Sequence, residues 1–339
     1  MPKKPRGAGR LSATLADVAR EIEVSEITVS RVIRNKGAIS DEMRKRVEAA
    51  IRKVGYVPNR LAGSLASSGS DLIGVVVPTL RSIFPEILAG INETIAAQGY
   101  RAVVGTTEFL QSEEERLVTS LLSWRPAALI IAAFDHSRAT ADQLRGARHL
   151  LVEITDIDRA PIGVSIGVSH RKAGRATAAF LLGRGYRRFG YVGHNIGDDR
   201  YALRRREGFR AGLAESGLDF VAENIVVRPY DFALGKAALM DLLAGQPDLD
   251  AVYFSNDVMA VGGYFHCVAA GIAVPERLAL AGFNGSDIGQ ALPKPLTTVL
   301  SNRYQLGKLA GDSALALIAG ETVAPVTDVG FEVIAGETA

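Results

Sequence analysis

The segment Ser25-Glu26-Ile27-Thr28-Val29-Ser30-Arg31-Val32-Ile33 carries the residues whose chemistry is easiest to name. Wound as a helix, it packs its apolar side inward and leaves Glu26, Ile27, Ser30 and Arg31 outside. The major groove of DNA admits such a helix. Arg31 has the planar fork that bonds both acceptors of a guanine edge, Ile27 suits a thymine methyl, and Thr14, Thr28 and Ser30 suit phosphates. The same spacing also fits a helical hairpin with no ligand.

Elsewhere the reactive residue types do not assemble into a catalytic or metal pattern. Gly163-Val164-Ser165-Ile166-Gly167 satisfies G-x-S-x-G. A nucleophile elbow needs a sharp turn from strand to helix at the serine, however, and IGVSIGV alternates as a continuing strand. His136, His149, His170, His194 and His266 are scattered, with no HExxH or Cys-His cluster, and GxxxxGK[ST] is absent. No enzyme activity, metal or cofactor is therefore expected. The one cysteine, Cys267 in YFHCVAA, has no partner for an internal disulfide and reads as a packing residue. No apolar run approaches the roughly 18 residues of a membrane span, and the basic start MPKKPRGAGR precedes no apolar stretch, so a cytoplasmic protein without membrane contact is expected.

The elements that must position these residues fall into unequal parts. Residues 1–68 hold 14 Lys/Arg against 7 Asp/Glu, a net +7, while the remainder holds 25 against 30, a net −5. A basic head on a mildly acidic body fits a polyanion-binding module joined to something else, or simply a solvated basic surface. From Thr14 to Val54 the apolar spacing is helical, with Thr14, Ser25 and Ser40 placed as N-caps, which predicts a helix-turn-helix and a third supporting helix in residues 1–58. Pro58 stops the third helix, and residues 59–70 read as a hinge helix and linker. Beyond them β-branched runs alternate with amphipathic helices. LIGVVVP, YRAVVG and ALIIAA build a first lobe over about 71–160, and IGVSIGV, RFGYVG, NIVV, AVYFSND and LALAGF a second over about 163–289. This predicts an α/β chain with a two-lobed body, residues 71–339, of parallel doubly wound sheets, a cleft at the carboxyl ends of the strands, and a C-terminal segment crossing between the lobes.

The motifs T-L-A-D-V-A, V-S-E-I-T-V-S-R-V-I-R and V-E-A-A-I-R-K-V-G-Y-V-P-N-R-L-A resemble the head of the LacI/GalR family of bacterial repressors. The resemblance continues through LIGVVVP, Arg205-Arg206-Glu207-Gly208-Phe209, FSNDVMAVG, VPERLALAGFNG and PLTTV, nearly the whole chain. It implies a periplasmic-binding-protein-like body on a helix-turn-helix head, and a homodimer on near-palindromic double-stranded operator DNA. It also implies hinge helices that wedge Leu65 into the minor groove, with Asn59, Arg60 and Ser25 joining Thr14, Glu26, Ile27, Thr28, Ser30 and Arg31 as DNA contacts. In the cleft it implies effector contacts at Phe84, Glu153, Arg205, Asn256, Asp257 and Asn284. PTL with FPEILAGI at 78–91, SLLSW at 120–124 and AGFNGSDIGQ at 281–290 are most similar to the gluconate-type branch, which implies gluconate or a related sugar acid as effector. Arg205 suits a carboxylate because its fork binds both oxygens, and Asn284, where many relatives have aspartate, repels an anion less.

Two departures stand out. Glu23 occupies a turn position where the family usually has glycine, so a left-handed backbone there costs about 1 kcal/mol. Ile27 replaces a polar base reader and alters the expected operator. The two-lobed body leaves a solute-binding protein or a sugar-acting enzyme as alternatives, and the tail FEVIAGETA lacks the leucine heptads of a tetramerising coiled coil.

Overall fold

The computed structural model describes residues 13–33, 37, 39–57, 70–132, 135–194, 199–227 and 230–339. It separates into two compact units, Met1–Ser70 and Asp71–Ala339. Asn59, Arg60 and Leu65, and the hinge expected around them, lie outside the described residues.

The head contains α1 (Leu15–Glu21), α2 (Glu26–Ile33) and α3 (Asp41–Val54). Each starts where a short polar side chain takes up an orphan amide. Thr14 forms a capping box with Asp17, Ser25 Oγ accepts from the Thr28 amide at 3.2 Å, and Ser40 Oγ accepts from the Met43 amide at 3.3 Å. Val18, Ala19, Val29, Val32, Val47 and Ala50 are buried together and form the small core of the head. The turn between α1 and α2 passes through Glu23 at φ 56°, the left-handed conformation that glycine adopts without strain.

In the body, β1 (Leu72–Val77), β2 (Arg101–Thr106), β3 (Ala128–Ala132), β4 (Leu151–Asp156) and β5 (Val164–Val168) belong to one parallel sheet in the order β11-β5-β4-β3-β1-β2, where β11 is Val326–Asp328. A second parallel sheet, ordered β7-β6-β8-β9, contains β6 (Phe189–His194), β7 (Ala222–Val226), β8 (Ala251–Phe254) and β9 (Ala279–Ala281). One expectation needs correcting. IGVSIGV was expected to open the second lobe, yet β5 pairs with β4 from Val152↔Val164 to Asp156↔Val168 and completes the first. Parallel neighbours are usually joined through a helix, whereas here the short connection 157–163 runs back directly, which strand-helix alternation does not reveal.

Helices cover both sheets: α4 (Phe84–Ala97), α5 (Gln111–Ser123), α6 (Arg138–Gly146), α7 (His170–Gly183), α8 (Arg200–Ala214), α9 (Phe232–Gly245), α10 (Asp257–Ala270), α11 (Asp287–Gln290) and α12 (Arg303–Ile318). The last of these buries Leu306, Ala310 and Ala314 in the core of the first sheet, while β10 (Thr298–Leu300) and β12 (Glu332–Ile334) pair antiparallel, so the C-terminal segment serves both lobes. Three helix pairs cross on a glycine from each side: Gly90 with Gly307, Gly174 with Gly208, and Gly235 with Gly262. A β-carbon at any of the six would lie 2.0 to 2.3 Å from a backbone oxygen of the facing helix. Backbone-to-backbone contact of this kind fixes the helices that carry the cleft.

Candidate functional site

On the head, α2 turns Val29 and Val32 into the core and holds Glu26, Ile27 and Arg31 out, with Thr28 and Ser30 half-buried beside them. Ile27 is 66% exposed. An apolar side chain held this far into water contributes little burial to the head and is free to pack against an apolar group such as a thymine methyl. Ser25 and Thr28 hydroxyls are 2.9 Å apart, and Thr14 is engaged with Asp17, so all three are already fixed by capping.

Within the body, Phe84, Arg205, Asn256 and Asn284 line one cleft of about 680 Å³, open solvent at its mouth included. Its walls come from the carboxyl ends of strands in both sheets: Ser82 and Phe84 beyond β1, Thr155 on β4, His194 on β6, Asn256 beyond β8 and Phe283 beyond β9. Parallel strands leave ligand sites at these ends. The backbone there is strained. Ser82, Phe109, Thr155 and Asn284 all line the cleft and all have positive φ, at 59°, 65°, 81° and 117°. Such conformations cost of order 1–3 kcal/mol each and are held by the surrounding structure.

Arg205 dominates the chemistry. It is buried, with Nη2 donating to the Ser255 carbonyl at 2.9 Å, Nη1 3.2 Å from His170 Nδ1, and the guanidinium 4.1 Å from the centre of the Phe283 ring. Among the described residues its Nε has no hydrogen-bond partner and no carboxylate lies within ion-pair distance. The acids nearest in sequence are used elsewhere: Glu207 pairs with Arg171 at 2.5 Å, and Asp199 caps α8 through the Ala202 amide at 3.0 Å. A buried cation without a counter-ion is costly, so an anion entering this cleft recovers energy already spent.

Sequence reasoning missed most of the polar wall. His170 and His194 belong to no metal or catalytic motif in the sequence, yet both line the cleft. Burial, reinforced by Arg205, holds His170 well below the ordinary imidazole range, with the Thr155 carbonyl acting weakly the other way. Burial also lowers His194; Asp199, 3.5 Å from its Nε2, opposes this and Arg205 supports it. Thr155 donates to the Tyr201 hydroxyl at 2.7 Å, and Asn284 Nδ2 donates to Ser82 Oγ at 3.2 Å, so the cleft also has hydroxyl and amide groups suited to a polyol. The sequence signals available were Ser169 and Asp199 as N-caps, which place His170 and Tyr201 in the first turns of α7 and α8.

Two expected contacts are elsewhere. Glu153 lies two residues before the point where Thr155 meets the cleft, and its carboxylate faces the other way. It accepts from the amides of Ile162 and Gly163 and pairs with Arg159, securing the short return from β4 to β5. Burial alone would raise its pKa, but His136, Arg159 and the two amides prevail and lower it. Asp257 is buried behind the wall, accepting from Thr298 Oγ1 and the Ser286 amide, each at 2.6 Å. It ties the loop bearing Asn284 to α10, and burial raises its pKa against those hydrogen bonds. Asn256 does reach the cleft, but its carbonyl caps α10 through the Met259 amide, leaving Nδ2 toward His194. Ser165 is mid-strand and donates to the Asp156 carbonyl at 2.9 Å, and Cys267 is fully buried in the core.

Comparison with known proteins matches a segment in each of the two units. Residues 14–59 match the model described as bacterial regulatory proteins, lacI family, and residues 178–339 match a periplasmic binding protein-like domain. The HTH-type transcriptional regulator GntR of Pseudomonas aeruginosa is 36% identical over 99% of this chain and 98% of its own. This chain belongs to the lacI family. As a LacI-family protein it is a DNA-binding transcriptional regulator, with the head and two-lobed body that its sequence predicts. The crystal structure of a LacI-family regulator from Silicibacter pomeroyi superposes with a TM-score of 0.91 at 39% identity, covering 96% of this chain and 99% of that one. The lac repressor dimer bound to operator superposes with a TM-score of 0.80 at 25% identity, over 96% and 99%. Among the described residues of this LacI-family regulator, no helix is long and apolar enough to cross a membrane.

Proposed function

We propose that this LacI-family regulator is a homodimeric repressor whose cleft takes a sugar acid, gluconate or a close relative, and that the bound acid changes its affinity for operator DNA. The observation that carries the effector class is Arg205, a buried guanidinium with an unpartnered Nε and no carboxylate within ion-pair distance among the described residues. A neutral sugar would leave that charge uncompensated, whereas a carboxylate supplies both the charge and two acceptors. The similarity to GntR of P. aeruginosa and the hydroxyls of Ser82, Thr155 and Ser301 in the cleft lining support the same reading. The dimer follows the lac repressor assembly on its operator, with one α2 per half-site and Thr14, Ser25, Glu26, Ile27, Thr28, Ser30 and Arg31 facing DNA.

Coupling between effector and operator is reciprocal, so an acid that weakens operator binding must itself bind more weakly to the DNA-bound dimer. No turnover of the acid is expected, since the cleft offers neutral imidazoles and fixed donors with no activated nucleophile. The test is thermal unfolding of the full chain with gluconate, other aldonates, aldarates and neutral sugars, followed by operator-binding anisotropy with each stabilising compound. A ligand at 100 times its dissociation constant adds about 2.7 kcal/mol. Stabilisation confined to sugar acids and lost in Arg205→Ala is the expected result. Stabilisation by neutral sugars alone, or gluconate affinity identical with and without operator, would overturn the proposal.

A further inference from the structure

Resting on the sugar-acid reading, a second question concerns how the acid end is distinguished from a neutral group of the same size. Arg205 Nη1 lies 3.2 Å from His170 Nδ1. A guanidinium only donates, so Nδ1 accepts, and the single proton of a neutral imidazole must sit on Nε2. The ring cannot turn away easily, because it stacks on Tyr201 at 4.9 Å between centroids and meets Phe283 at 5.8 Å. His170 lines the cleft and is only 4% exposed, and its Nε2 is buried with no hydrogen-bond partner among the described residues, the Thr155 carbonyl acting on the ring only weakly. Arg205 Nε is likewise buried without a hydrogen-bond partner among the described residues. Two orphaned donors therefore belong to side chains that touch each other in one wall, and an orphaned buried donor is costly until an acceptor arrives.

We propose that His170 is the specificity-determining residue of this cleft, its Nε2–H donating to one oxygen of the effector's carboxylate while Arg205 holds the same group. A carboxylate has acceptors enough for both side chains and neutralises Arg205. The amide and the lactone of the same sugar acid offer a carbonyl without the charge, and the parent polyol offers neither. The site thus takes the open-chain anion and discriminates against the neutral forms with which it coexists or from which it is made.

The experiment is calorimetric titration of the full chain with gluconate and gluconamide, comparing the native protein with His170→Phe, His170→Gln and Arg205→Ala. Nitrogen-15 histidine NMR supplies a measurement that needs no variant. The expected result is that the ligand-free protein shows His170 protonated on Nε2 and bare on Nδ1, with the Nε2–H resonance moving on gluconate addition. His170→Phe should weaken gluconate by about tenfold to a hundredfold, the worth of one hydrogen bond to a charged group. Gluconamide, whose carbonyl is an uncharged acceptor, should lose less than gluconate, about twofold to tenfold, and His170→Gln, which keeps an acceptor and a donor, should recover most of the gluconate affinity. A proton on Nδ1, or gluconate affinity within twofold of native in His170→Phe, would overturn the role of His170. If that happens while Arg205→Ala still loses gluconate, the sugar-acid reading stands alone; if gluconate fails to bind the native protein, both fall.

Discussion

Replacing Gly174 with alanine tests whether helix crossing sets the position of Arg205. A β-carbon on Gly174 would lie 2.0 Å from the Arg205 carbonyl oxygen, and one on Gly208 would lie 2.1 Å from the Arg171 carbonyl oxygen on the other side of the same crossing. Ordinary carbon-oxygen contact then requires α7 and α8 to part by more than about 1 Å. Neither near atom belongs to a flexible side-chain end, so the strain must be taken by the backbone that carries the guanidinium. Overpacking of this kind costs about 1–3 kcal/mol, which for a domain of this size lowers the melting temperature by about 3–8 °C. The displaced guanidinium should also lose at least about tenfold in gluconate affinity, since hydrogen bonds to charged groups are worth about 1.5–3 kcal/mol and depend on geometry. The control is Gly183→Ala on the same helix, where nothing lies within 4 Å of the added carbon and better helix propensity should stabilise by up to about 1 kcal/mol. Differential scanning calorimetry and gluconate titration read both effects. If Gly174→Ala melts within 1 °C of native, or Gly183→Ala falls as far, the crossing does not position Arg205.

Glu23→Gly should raise head stability by about 0.5–1 kcal/mol by relieving the positive φ, measured by proteolysis between residues 14 and 57, and unchanged protection would show the turn to be unstrained. Arg31→Ala should cost about 1–3 kcal/mol of operator binding and relax preference at one base pair per half-site; equal weakening on every sequence would make Arg31 a phosphate contact. Body stability should fall as pH drops below about 6.5, because burial keeps His170 and His194 below their ordinary values and the unfolded chain takes up protons that the fold refuses. The slope is at most about 1.4 kcal/mol per pH unit for each ring. His136 works oppositely: burial pulls it down, but Glu114 and Glu153 prevail and raise it, so its stabilisation is present at acid pH and lost as pH rises through its folded value. Calorimetry from pH 5.5 to 8 should show His170→Gln and His194→Gln flattening the acid decline and His136→Gln steepening it; parallel curves would sink the assignment.

The head was legible because its signals are local: Thr14, Ser25 and Ser40 each cap the helix that follows, whatever the rest of the chain does. The body's strands were legible as buried β-branched runs, but their allocation to sheets was not. Gly163 and Gly167, which mimic a hydrolase motif, have an unrelated explanation. A β-carbon at Gly163 would sit 2.2 Å from the Leu151 carbonyl, and one at Gly167 2.5 Å from the Asp156 amide, so both glycines permit β5 to lie directly against β4. Glu153 is part of the same device, holding the amides of Ile162 and Gly163 where the short connection ends.

The cleft resisted reading for a different reason. Its polar wall is assembled from strand ends far apart in sequence, and at several of them the backbone leaves the conformations on which periodicity depends. Thr155 at φ 81° turns toward the cleft although Glu153, two residues earlier on the same strand, is committed to the opposite layer. Strict alternation predicts that these two side chains share a face. A β-branched residue is the least suited to that conformation, so the strain at Thr155 must be held by its surroundings, and the hydroxyl contact to Tyr201, itself stacked on His170, is part of what holds it.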